Sequence, residues 1–174
     1  VFLDISAKLV PERANFDERG LLGLAFHPGY GDTGSPGFRR LYVFYSAPSP
    51  NAPGTTEAPV DCRTVIAEYT VSVTDPNAVD PGSERVLVVF DKPQFNHNGG
   101  GIRFGPDGFL YFSIGDGGGS NDNNFGHTGG GNPPRPTNAK GNAQDLTNFM
   151  GKIHRIDPLG TNGPGGQYGV PASN

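Results

Sequence analysis

Residues 20–26 read Gly-Leu-Leu-Gly-Leu-Ala-Phe, an apolar run of strand length too uniform for a strand with one wet face. It predicts an inner strand packed between layers. In residues 39–46, Leu41, Val43 and Tyr45 alternate with Tyr42, Phe44 and Ser46, so both faces are largely apolar and both need covering. Residues 63–73 put Val65, Ala67, Tyr69 and Val71 on one face, and residues 84–90 supply a fourth strand after a turn at 75–82. Together these predict one four-stranded unit over residues 20–91. Residues 1–6 also read as a strand, the end of a preceding unit.

The next unit, residues 99–158, echoes the first. Gly23-Leu24-Ala25-Phe26-His27-Pro28 is matched by Gly101-Ile102-Arg103-Phe104-Gly105-Pro106, and residues 41–46 by 110–115. Repetition at this scale is what radial β architectures show. The centre of the second unit, Gly105-Pro106-Asp107-Gly108, is a turn in which Pro presets φ, Asp bonds its own backbone and Gly accepts a positive φ. With β-formers on either side, it predicts an antiparallel hairpin.

If Pro106 and Asp107 form the loop, His97 falls opposite Asp116; a bulge at Gly108 would move the register by about one residue. Opposed residues share a face at about 4.5–5.5 Å between Cβ atoms. An imidazole and a carboxylate therefore meet at the open end of the hairpin, among glycines that let a ligand approach the backbone. A carboxylate beside histidine stabilises the imidazolium and selects its tautomer, which suits a general base. A third strand is expected at 150–157 after a helical turn near 143–149. The Gly/Asn/Asp-rich residues 117–148 should form a long loop beside the His97/Asp116 pair.

Composition narrows the picture. Gly 28 and Pro 17 among 174 residues fit an all-β, loop-rich chain. A net charge of −4 with no basic run gives no support for a nucleic-acid partner, and no apolar stretch approaches the roughly 18 residues of a membrane span. Cys62 is the only cysteine and reads as a lone thiol. His27 reads as a turn organiser and His154 as structural or exposed; no histidine spacing suits zinc. Oxygen ligands for calcium are available at Asp116, Asn121, Asp122, Asn123 and Asp145, without an EF-hand pattern, so the metal ligands stay unassigned.

Five stretches carry a resemblance: Glu18-Arg19-Gly20-Leu21-Leu22-Gly23-Leu24-Ala25-Phe26-His27-Pro28, Asn96-His97-Asn98-Gly99-Gly100, Phe104-Gly105-Pro106-Asp107-Gly108-Phe109-Leu110-Tyr111, Ile114-Gly115-Asp116-Gly117-Gly118 and Gly151-Lys152-Ile153-His154-Arg155-Ile156-Asp157. In that order the chain resembles the soluble quinoprotein sugar dehydrogenases, grouped with glucose and sorbosone dehydrogenases. The resemblance implies a six-bladed β-propeller with pyrroloquinoline quinone (PQQ) and Ca²⁺ on its axis, oxidising aldose sugars at C1. This chain would then be about two blades, with residues 159–174 leading to others, and it would need the rest of the propeller to be active.

By the same resemblance His97 is the base, Asp116 its partner, Glu18, Asn96 and Asn98 lie near the sugar, and Gly99 and Gly100 near the cofactor. Asn96 and Asn98 could equally shape the turn. Glu18 departs from the glutamine that several relatives carry there. The arginines and lysines that hold the quinone are expected from later blades, and a periplasmic or extracellular location is implied. The hedgehog-interacting proteins look similar across the same motifs, which keeps a non-catalytic extracellular binding propeller as the alternative.

Overall fold

The computed structural model describes residues 1–54, 60–119 and 141–174. Among these residues, seven strands form two antiparallel sheets. β1 (Leu21–Phe26), β2 (Arg40–Ala47), β3 (Cys62–Thr70) and β4 (Arg85–Lys92) make a four-stranded meander in chain order. β5 (Ile102–Phe104), β6 (Leu110–Ile114) and β7 (Lys152–Ile156) make a three-stranded one, and α1 (Gly141–Gln144) precedes β7. The two sheets follow the two units expected from the apolar pattern.

β2 shows why that pattern matters. Leu41, Tyr42, Val43 and Phe44 are all fully buried, because the strand's two faces enter different cores. Tyr42 and Phe44 pack with Ile66, Val88 and, from the second sheet, Ile102, Leu110, Phe112, Ile114 and Ile156. Leu41, Val43 and Tyr45 pack on the other side with Val65, Tyr69 and Val71, covered by Phe2, Leu3, Ile5 and Leu9. The second sheet thus lies against one face of the first.

Two expectations need correction. Residues 1–6 are not a strand: Ser6–Lys8 is a 3-10 turn, and the segment uses its side chains as a cover while donating little to a ladder, with Phe2 O accepting one bond from the Val79 N–H at 2.8 Å. β1 is also less enclosed than its uniform run predicts. Its flank approaches β5 so closely that a Cβ on Gly23 would lie 2.2 Å from Gly100 O, yet Leu21, Leu24 and Phe26 stay about half exposed.

A buried ion cluster ties the sheets at one end. The Glu68 carboxylate accepts from Arg40 Nη1 (2.5 Å), from Arg85 Nη2 (2.9 Å) and from the Tyr42 hydroxyl (2.8 Å). Arg85 then reaches the second unit, donating to Pro158 O and Gln167 O at 2.6 and 2.7 Å.

Candidate active site

The hairpin that carries the site brings His97 to Asp116 by a less direct route than a tight loop. β5 and β6 pair as Phe104 with Leu110, Arg103 with Tyr111 and Ile102 with Phe112, one residue beyond the two-residue-loop register. The cause is Gly108 at φ 79°, which adds a residue to the turn. The offset is undone at the other end: the Ser113 N–H donates to Gly101 O, while Ser113 O accepts from Gly100, so two glycines oppose one serine. This bulge restores the alignment of His97 with Asp116.

The imidazole Nδ1 lies 2.8 Å from Asp116 Oδ1. That carboxylate fixes Nδ1 as the protonated nitrogen and points the basic tautomer's acceptor, Nε2, away from it. The His97 side chain remains 33% exposed and Asp116 17%, an accessible base on a more covered partner. Asp116 Oδ1 also accepts the Gly118 N–H at 3.3 Å, and its carbonyl accepts from Asn142 Nδ2 of α1 at 2.8 Å. The backbones approach closely here: a Cβ on Gly115 would lie 2.0 Å from His97 O, which only glycine avoids.

His97 itself has φ 52°, a left-handed conformation that costs a residue with a Cβ on the order of 1–3 kcal/mol unless its surroundings hold it. Three groups do so. The His97 N–H donates to Glu18 Oε2 at 2.7 Å. On either side of it, Lys92 Nζ donates to Asn96 O at 2.9 Å and to Asn98 Oδ1. Glu18 is brought there by the preceding loop, which Arg19 pins with bonds to Asp17 (2.6 Å from Nη2), Asp61 (3.2 Å) and Pro11 O (2.8 Å). Arg19 holds the Asp17 carboxyl far below the ordinary carboxylate range.

The residues singled out in the sequence therefore converge, but with altered work. Of the two roles open to Asn98, ligand contact and turn shaping, the geometry supplies the second: its side chain is 3% exposed, accepts from Lys92 and donates to Phe95 O at 2.9 Å. Asn96 Oδ1 is buried with no hydrogen-bond partner among the described residues. Gly100 is buried and commits its N–H to Ser113, whereas Gly99 is exposed. Lys92, which braces the residues on both sides of His97, belongs to none of the motifs read from the sequence. Strand alternation placed it on the face of Val88, a buried position for a charge, and that signal was available.

The other expectations sort cleanly. His27 organises its turn, its Nδ1 accepting from the Gly29 N–H at 2.9 Å, and His154 is structural, stacked on Phe112 with Nε2 2.7 Å from Phe149 O. Cys62 is a buried free thiol, pushed up to about 11 by desolvation. Among the described residues no cluster of three or more His, Cys, Asp or Glu could hold a metal ion, and Asn121, Asp122, Asn123 and most of the long Gly/Asn-rich loop lie outside those residues.

Two stacked antiparallel meanders, with a histidine–carboxylate pair at the mouth of the second, match in form two neighbouring blades of a β-propeller. The glucose/sorbosone dehydrogenase family model matches residues 5–167, and the chain belongs to that family. It is 40% identical to mouse Hedgehog-interacting protein over 116 residues, covering 67% of this chain and 15% of that protein. It is 29% identical over 157 residues to quinoprotein glucose dehydrogenase B of Acinetobacter calcoaceticus, covering 85% and 29%. The PQQ-bound aldose sugar dehydrogenase of Streptomyces coelicolor shares the fold with a TM-score of 0.53 at 23% identity, over 87% of this chain and 34% of that one. The chain thus spans less than a third of these curated relatives. Among the described residues no helix is long and apolar enough to cross a membrane.

Proposed function

We propose that this chain supplies the proton-accepting side of a PQQ-dependent aldose dehydrogenase, exported to the periplasm or cell exterior, whose remaining blades complete the centre. The observation that carries the reading is the His97–Asp116 pair: an imidazole one-third exposed with one nitrogen held by a carboxylate at 2.8 Å. His97 takes the proton of the sugar C1 hydroxyl at Nε2, and Asp116 stabilises the imidazolium that forms. Glu18 and the strands beneath keep the ring in place, so little reorganisation accompanies the transfer.

When bound, the quinone supplies a two-electron acceptor for the hydride released from C1. The described residues fit the sugar side of such a centre. Gly99 is exposed two residues after His97, and it must be glycine because a Cβ there would lie 2.4 Å from Ser113 O. Among the described residues, Arg19 is bonded to Asp17 and Asp61, and Lys92 to Asn96 and Asn98, so neither serves as one of the cations that the quinone's carboxylates require. In this reading those cations, and the calcium ligands, belong to the other blades.

The 40% identity to Hedgehog-interacting protein favours a second reading, an extracellular propeller that binds a partner without catalysis. The deciding experiment reconstitutes the full-length protein carrying these residues with PQQ and Ca²⁺ and follows aldose-dependent dye reduction. The dehydrogenase reading expects His97→Ala to lower kcat by about 10²–10⁴-fold. A folded protein that neither binds quinone nor reduces dye overturns it and leaves the binding module.

A further inference from the structure

Lys92 is fully buried at the end of β4, where a charge needs a reason. Its ammonium donates to Asn96 O at 2.9 Å and to Asn98 Oδ1, the residues immediately before and after His97. Asn98 is itself fixed by its bond to Phe95 O, and the Lys92 carbonyl is fixed by the Asp61 N–H at 2.8 Å. Asp61 in turn anchors Arg19, next to Glu18, whose carboxylate takes the His97 N–H. The loop bearing His97 is thus held from below by one cation and from the side by one anion. His97 sits between them in a left-handed conformation that it would not keep by its own preference.

We infer that Lys92 is the positioning residue of the catalytic base: its buried ammonium bridges the two neighbours of His97 and so sets the ring's approach to Asp116 and its tautomer. The inference rests on the dehydrogenase reading for its effect on turnover, but its geometric content stands apart from it. A buried methylene stem with a polar group on neutral oxygens is costly compared with an apolar side chain, as the desolvation that lowers the Lys92 pKa to about 8 indicates. Glu18, Asp61, Asp116 and Cys62 are the titratable groups whose charge acts against that lowering. A role confined to filling space would be met better by methionine.

The test is carried out on the full-length protein with ¹⁵N-labelled histidine, with His97 assigned by the signals missing from His97→Ala. In the native protein the ring nitrogens should show one tautomer, protonated at Nδ1. In Lys92→Met they should move toward the mixture of tautomers seen for histidine in water, while His154, on β7 and bonded to Phe149 O, keeps its shifts. Unchanged His97 shifts with an intact His154 signal overturn the inference.

If His154 is lost as well, the variant has not folded, and Asn98→Ser, which removes one of the two acceptors but leaves Lys92, is read by the same criterion. Where the native protein reduces dye, Lys92→Met should lower kcat at least about tenfold with KM within about twofold. In the His97→Ala background it should lower kcat no further, whereas an equal fall in both backgrounds marks a general structural role and overturns the inference. A native protein that reduces no dye refutes the dehydrogenase reading and leaves the nitrogen shifts to decide the role of Lys92.

Discussion

Glu68 and Lys92 are charges of opposite sign buried on adjacent strands of the same sheet, 3% and 0% exposed, and the protein treats them differently. Glu68 meets two guanidiniums and a phenol, and through Arg85 it joins one sheet to the other. Lys92 donates to uncharged oxygens in a single loop. Fully compensated charge makes a fixed joint, because removing any partner strands the others. Charge set against dipoles leaves a group whose protonation is easily lost, and such a group costs stability while it orders what it touches. The first end of the sheet is built for assembly and the second for the site.

The comparison breaks most visibly at the joint. Glu68→Leu leaves the buried Tyr42 hydroxyl without its acceptor and unties Arg40 and Arg85, each about one-third exposed, and should lower the unfolding free energy by about 1–3 kcal/mol in urea titration. The His97 ring signals should stay as they are, because the joint lies at the other end; a coupled change there would erase the distinction between the two regions.

A second effect is expected from pH. The Lys92 pKa is lowered in the folded state from 10.5 to about 8, so between those values the unfolded chain binds the extra proton and stability rises with pH. The cost is fully present below about pH 8. From pH 7 to 9.5 the native protein should gain about 2 kcal/mol relative to Lys92→Met, in which this contribution is absent. In this comparison both proteins carry Cys62→Ser, because Cys62 is coupled to Lys92 and its raised pKa acts with the opposite sign over the neighbouring range. A difference that is flat or falls with pH would show Lys92 to be better compensated than its bonds indicate.

The least change is expected at Asp107, in the turn of the site's own hairpin, where Arg155 Nη2 pairs with it 2.9 Å away at the surface. Asp107→Asn should leave the urea midpoint and the His97 spectrum within error, since exposed pairs add little. That result would show that charge matters here by burial and not by nearness along the chain.

Much of this was legible in the residues. The double alternation in residues 41–46 announced a strand covered on both faces, and the turn residues at 105–108 announced the hairpin. The His97/Asp116 pair was also reached, although by a tight-loop register that the hairpin does not use. Gly108 and the Gly100–Gly101 bulge each shift the strand by one residue; the first was open to reading from its turn residues, whereas nothing in the run of glycines at 99–101 marks where the second falls. Glu18 was harder because its partner lies 79 residues away, beyond what local pattern spans. Lys92 lies only four and six residues from its partners, but they sit on an irregular loop whose return over the strand end no periodicity announces. Residues 1–6 misled for a different reason: a short run of apolar side chains suits a cover as well as a strand, and only a ladder partner separates the two.

The paired offsets in the hairpin have a consequence for anyone recombining these blades. Parity is conserved only if both are kept or both are removed. Replacing the turn at 105–108 with a two-residue Asn-Gly connection while retaining the Gly100–Gly101 bulge would present a neighbour of His97 to Asp116 and turn the histidine to the opposite face. A graft between relatives in this family should therefore carry residues 97–116 as one cassette, because its two ends are matched by count and not by sequence.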